Sequence, residues 1–110
     1  MRKLALLLAA AILPACESDT RRDNVHVAVH NQGATESARV RIQVRRANHS
    51  DIDRETIVLV GDSVLFEYDD VTRVALQVHR VSDDLTLFDD FWDADDLRHQ
   101  HDDVSVTVTP

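Results

Sequence analysis

From Val25 onward, hydrophobic and polar positions alternate. Val25, Val27 and Val29 stand opposite His26, Ala28 and His30, and Ala38, Val40, Ile42 and Val44 opposite Arg39, Arg41, Gln43 and Arg45. Val64, Phe66 and Tyr68 alternate with Ser63, Glu67 and Asp69; Val74, Leu76 and Val78 with Arg73, Ala75, Gln77 and His79; Val104, Val106 and Val108 with Ser105, Thr107 and Thr109. Period two predicts strands with one buried face. Two further runs read as strands without clean alternation. Thr56 to Val60 is continuously apolar or β-branched, fitting a strand covered on both sides or a sheet-to-sheet crossing, and Leu85 to Phe88 is the other. Turn chemistry separates them: Asn31-Gln32-Gly33-Ala34 with Gly33 available for a positive φ, the polar loop Ala47 to Asp53, Gly61-Asp62, Asp69-Asp70 and Ser82-Asp83-Asp84. Asp89 to Asp103 shows no strand pattern, although Asp93 to Leu97 suits one helical turn. The prediction is an all-β domain over residues 25–110, an antiparallel β-sandwich of about seven strands without an amphipathic helix.

The first 24 residues follow another rule. Arg2-Lys3 precedes an apolar run from Leu4 to Leu13, the grammar of a secretory signal. As a helix the run reaches about 15 Å, half of the roughly 30 Å of hydrocarbon a membrane span must cross. Leu13-Pro14-Ala15-Cys16 resembles the lipobox of bacterial lipoproteins, with Pro14 departing from the usual Ala, Ser, Thr or Val. The resemblance implies that residues 1–15 are a removed signal peptide and that Cys16 is lipidated as the first mature residue. Glu17, standing where Asp signals inner-membrane retention, implies the outer membrane, facing the periplasm. Ordinary secretory cleavage with a free Cys16, or an uncleaved N-terminus, are the other readings. Cys16 is the single cysteine, and acylation accounts for an otherwise unpaired thiol. Several acyl chains hold far more firmly than one, at about 0.8 kcal/mol per buried methylene. Residues 17–24, E-S-D-T-R-R-D-N, read as a short polar tether.

Charge narrows the partners. Without residues 1–15 the chain carries ten basic and twenty acidic side chains, net −10, and no lysine. Such a surface opposes nucleic acid, whose binding depends on cations facing phosphates, and opposes adsorption to anionic lipid. The membrane contact expected is therefore the lipid anchor at Cys16, and any further partner an envelope protein. Acid is concentrated late: Asp83 to Asp103 holds nine aspartates and one arginine, Arg98.

Val27-Ala-Val-His-Asn-Gln-Gly33, then Ala38-Arg-Val-Arg-Ile-Gln-Val44 and Gly61-Asp-Ser-Val64, resemble CARDB-type and related immunoglobulin-like bacterial modules over about residues 25–78. The resemblance implies an adhesion or scaffolding fold and no reaction.

Candidate chemistry is sparse. With two glycines, Gly33 and Gly61, neither a nucleophile elbow nor a phosphate-cradling loop can be written, and no enzyme or cofactor is expected. His99 and His101, if on a strand, share a face about 7 Å apart and, with Asp102 or Asp103, suit Zn²⁺ or Cu²⁺. Asp89, Asp90, Asp93, Asp95 and Asp96 offer the carboxylates calcium prefers, without EF-hand order; a solvated acidic loop is the simpler account. His26 and His30 lie about 13.6 Å apart along a strand, too far to share an ion. Phe88, Phe91 and Trp92 bracket acids: at least one ring should plug the sandwich, and Phe91 with Trp92 are candidates for an interface with a basic partner. Arg39, Arg41 and Arg45 read as a solvated face, or as partners for acids across the sheet or on another protein. The expected function is a non-catalytic structural or interaction module on an envelope lipoprotein. The alternative is a periplasmic metal binder using His99 and His101 or the Asp89–Asp96 loop.

Overall fold

A computed structural model describes residues 21–110. The signal segment, lipobox and Cys16 lie outside the described residues. Seven strands and one short helix follow in order: β1 (Val25–Asn31), β2 (Ala38–Arg46), β3 (Ile52–Val58), β4 (Ser63–Tyr68), β5 (Val71–Arg80), β6 (Thr86–Asp93), α1 (Ala94–His99) and β7 (Asp103–Val108). They form a three-stranded sheet, β4-β1-β7, and a four-stranded sheet, β3-β2-β5-β6.

The alternation predicted from sequence becomes the core. Val25, Val27 and Val29 of β1, Ala38, Val40, Ile42 and Val44 of β2, Val74, Leu76 and Val78 of β5, and Val104, Val106 and Val108 of β7 are all buried, with Phe66 of β4 among them. Burying a Val or Leu side chain contributes roughly 1.5–3 kcal/mol, so stripes of this kind on both inner faces bind the sheets together. Val71 and Leu97, both fully buried, close the core near the turns that flank them.

Three features differ from the sequence reading. Strand pairs are antiparallel except β1–β7, which is parallel from His26↔Asp103 to Asn31↔Val108. Strand directions alternate along the chain, so its first and seventh strands run the same way and become parallel when they meet. Second, β3 begins at Ile52, inside the predicted loop, and ends at Val58. It is a largely exposed edge strand rather than a doubly covered one. Leu59 and Val60, 57% and 41% exposed, belong to the crossing between sheets. Third, β6 runs on to Asp93 through Asp89 and Asp90, and a helix capped by Asp93 follows directly.

Both edges of the four-stranded sheet carry an inward-facing charge in one row. Arg54 of β3 pairs with Ile42, Ile42 with Leu76, and Leu76 with Asp90 of β6. Charges at these positions oppose addition of a further strand from another molecule.

Gly33 departs from expectation. Positive φ among the glycines belongs to Gly61 (78°). Gly33 is buried, and a Cβ there would stand 2.7 Å from Pro110 Cδ and 3.0 Å from Asn31 Oδ1. Asn31, 1% exposed, donates from Nδ2 to the carbonyls of Glu36 (2.9 Å) and Val58 (3.0 Å) and accepts from Gly33 N–H (2.8 Å). It continues the inner stripe of β1 and satisfies the backbone where chain crosses between sheets.

Candidate functional site

Chain direction divides the sandwich into two ends. At one end lie Arg21–Asn24, the β2–β3 loop, the β4–β5 turn and α1; at the other lie the β1–β2, β3–β4 and β5–β6 connections.

The first end is organised by Asp70. Asp70 sits at φ 62° in the tight β4–β5 turn, its side chain 4% exposed. Its carboxylate accepts from the Arg21 guanidinium (3.0 Å), the His49 ring (2.9 Å) and the backbone N–H of Asn48, while its own N–H donates to Asp23 Oδ1 (2.8 Å). The His49 hydrogen bond, then that of Asn48 N–H, then Arg21, hold this carboxyl at about 2, below its ordinary 3.8. Arg22 exchanges both backbone bonds with Val71 (2.7 and 2.8 Å), and its guanidinium grips Asp102 through two bonds (2.7 and 2.8 Å). The segment predicted to be a short polar tether is therefore fastened to the sandwich from Arg21 onward.

The acidic segment is absorbed by helix chemistry. Asp93 accepts from Asp96 N–H (2.9 Å) while Asp96 accepts from Asp93 N–H (3.2 Å), a reciprocal capping box. Asp95 pairs with Arg98. His99, the last helical residue, donates its Nδ1–H to the Asp95 carbonyl (2.8 Å), and His101 lies in a left-handed turn at φ 56°. The two histidines are thus not strand neighbours sharing a face. Among the described residues, no group of three or more His, Cys, Asp or Glu side chains converges on a point able to hold a metal ion.

The aromatic trio divides between faces. Phe88 and Trp92 turn inward with ring centroids 6.0 Å apart and planes at 14°, both packed against the core. Phe91 turns outward, 50% exposed, with the Arg73 guanidinium carbon 4.2 Å from its ring centroid. That contact is a cation–π interaction, which orients the guanidinium.

Phe91 belongs to the outer face of the four-stranded sheet. Register sets three rows there: Asp53–Gln43–Ala75–Phe91, Glu55–Arg41–Gln77–Asp89, and Arg45–Arg73–Asp93. Arg41 is held by both oxygens of Asp53 (3.0 and 2.8 Å), which lowers the Asp53 carboxyl and raises the guanidinium. Arg39 pairs with Asp84 and, at 3.6 Å, Glu55. A shallow depression of about 410 Å³ opens over Gln43, Arg45, Asp51, Asp53, Arg73 and Ala75. Sequence reasoning marked the β2 arginines and Phe91 separately. It missed Arg73 as their neighbour because only strand pairing sets β5 beside β2.

The outer face of the three-stranded sheet is simpler. His26 Nε2 lies 2.8 Å from Glu67, and His30 bridges Ser63 Oγ (2.6 Å) and Ser105 Oγ (3.1 Å). Both nitrogens of His30 are thus occupied by hydroxyls. What these faces offer chemically is multipoint polar contact. No family model matches the chain, and no curated protein matches it.

Proposed function

We propose that this protein is a small envelope lipoprotein, anchored in the outer membrane through lipidated Cys16 and facing the periplasm, whose sandwich is a non-catalytic interaction module. The observation that best supports this reading is the fastening of Arg21 and Arg22 to one end of the sandwich. Five residue steps separate Cys16 from Arg21, a reach of at most about 18 Å. An anchored Cys16 would therefore hold that end towards the bilayer and leave both sheet faces standing away from it. Close attachment of this kind suits a docking platform.

Mass spectrometry of the native protein tests the anchor. The expected mass is that of a chain beginning at an acylated Cys16, and Cys16→Ser should move the protein out of the membrane fraction. An unmodified thiol or a retained Met1 overturns the reading. Cross-linking in intact envelopes tests the module: a discrete protein adduct is expected, and recovery of lipid alone counts against it.

A further inference from the structure

The outer face of the four-stranded sheet sets two arginines directly opposite each other. Arg45 of β2 and Arg73 of β5 are register partners, and like charges so placed are destabilising. A chain with twenty acidic residues has ample means to neutralise them. It does so for Arg39 and Arg41 on the same face. Yet neither Arg45 nor Arg73 meets a carboxylate among the described residues. The acids nearest in the fold are engaged elsewhere: Asp51 accepts from Arg46 N–H (3.3 Å), Asp53 holds Arg41, and Asp93 caps α1. Arg73 is also preset by the Phe91 ring. The small Ala75 and the Gln43 amide form part of the depression between them.

We propose that Arg45 and Arg73 form a docking site for a carboxylate side chain of an acidic peptide segment on a partner protein. The inference rests on the interaction-module reading and names its partner's chemistry. Guanidinium forks match the planar carboxylate, giving paired charge-assisted hydrogen bonds. Asp51 and Asp53 border the same depression, and their charge penalises a phosphate dianion more than a singly charged carboxylate. The Gln43 amide can pair with peptide backbone, and the exposed half of Phe91 supplies apolar contact beside the charge. An acidic ligand for a strongly acidic protein also confers selectivity, because only a carboxylate delivered to this one pair escapes the general repulsion.

The test is titration of the purified full chain with a capped hexapeptide carrying one glutamate among neutral residues, with inorganic phosphate as a parallel probe. Saturable one-to-one binding that weakens with salt is expected. Arg45→Gln and Arg73→Gln should each weaken it by about tenfold, the scale of a lost charge-assisted hydrogen bond. Phe91→Leu should weaken it less, by releasing Arg73. Arg54→Gln, the same charge change at the sheet edge, should alter it by under about twofold. Arg45→Gln should not lower the melting temperature, since it relieves repulsion, whereas Arg73→Gln also gives up the Phe91 contact. The proposal is overturned by absence of peptide binding, by equal losses in the Arg54 variant, by phosphate binding as tightly as the peptide, or by destabilisation in the Arg45 variant. If envelope cross-linking still captures a partner while peptide binding fails, the docking site falls and the module reading stands.

Discussion

Gly33 and Gly61 are the only glycines in the chain, and different physics requires each. Gly61 has a left-handed φ of 78° with open space around its Cα, so Gly61→Ala pays backbone strain alone, roughly 1–2 kcal/mol. Gly33 needs no special φ; it lacks room. An added methyl would press on Pro110 and on Asn31, which three hydrogen bonds hold in place. Gly33→Ala should cost about 1–3 kcal/mol through overpacking. Pairing it with deletion of Pro110 should recover part of that loss, whereas the same deletion should do nothing for Gly61→Ala; denaturant melts of the four variants distinguish the two causes. Tyr68 presents the opposite case. Its hydroxyl is buried and has no hydrogen-bond partner among the described residues, a condition that costs about 1–3 kcal/mol. Tyr68→Phe should therefore leave stability unchanged or raise its denaturation midpoint, and a clear fall would reveal a partner for the hydroxyl.

At the scale of elements, β6 and α1 explain where pattern reading stops. Thr86 to Asp93 does alternate, with Phe88, Asp90 and Trp92 on the inner face and Asp89 and Phe91 on the outer. Each face also carries an aspartate, so no apolar stripe of period two stands out in the sequence. The acids are tolerated because β6 is an edge strand, where charge deters aberrant pairing. Helix α1 has six residues, too few to persist alone. It exists because Leu97, fully buried, docks beside β5 and β6 and because Asp93 and Asp96 cap it. Leu97→Ala should accordingly cost about 2–5 kcal/mol, against about 1 kcal/mol for Asp93→Ala. Calorimetric melting of both variants checks the ranking, and equal losses would mean that capping contributes as much as docking. The helical turn was legible from Asp93 to Leu97; the extent of β6 was not, because only its pairing with β5 makes Asp89 and Asp90 extended.

For the whole molecule, acid is the informative perturbation. Asp70 titrates at about 2 in the folded protein and near its ordinary 3.8 when its partners are gone. A depressed carboxyl contributes stability that is complete above the unfolded value and lost as pH falls from about 4 through about 2. Melting temperature measured between pH 6 and 2 should drop across that window, and Asp70→Asn should flatten the drop while lowering the plateau above it. Asp83, depressed to about 2 chiefly by Arg80, is half exposed in the β5–β6 turn and joins no other element. Asp83→Asn should change the plateau far less, because solvent screens the pair and no segment is released with it. Equal effects of the two substitutions would deny Asp70 its position as the fastening between the N-terminal segment and the sandwich. The same fastening fixes where the chain at Arg21 and Arg22 meets the sandwich, which reading residues 17–24 as a polar tether did not anticipate.

What sequence alone determined is whatever depends on neighbours two positions away. The inward stripes of β1, β2, β4, β5 and β7, the all-β class and the net acidity follow from alternation and composition, since the pleat sends successive side chains to opposite faces wherever the strand lies. Tertiary structure alone decided which strands meet: the parallel β1–β7 pair, the edge positions of β3 and β6, the closure of Asp70 on Arg21 and His49, and the opposition of Arg45 and Arg73. Those contacts, together with that of Arg22 to Asp102, join residues up to eighty positions apart, and the same alternation is compatible with many pairings. The choice among them is made by shape and charge across the sheets, quantities that come into being only when the two layers close.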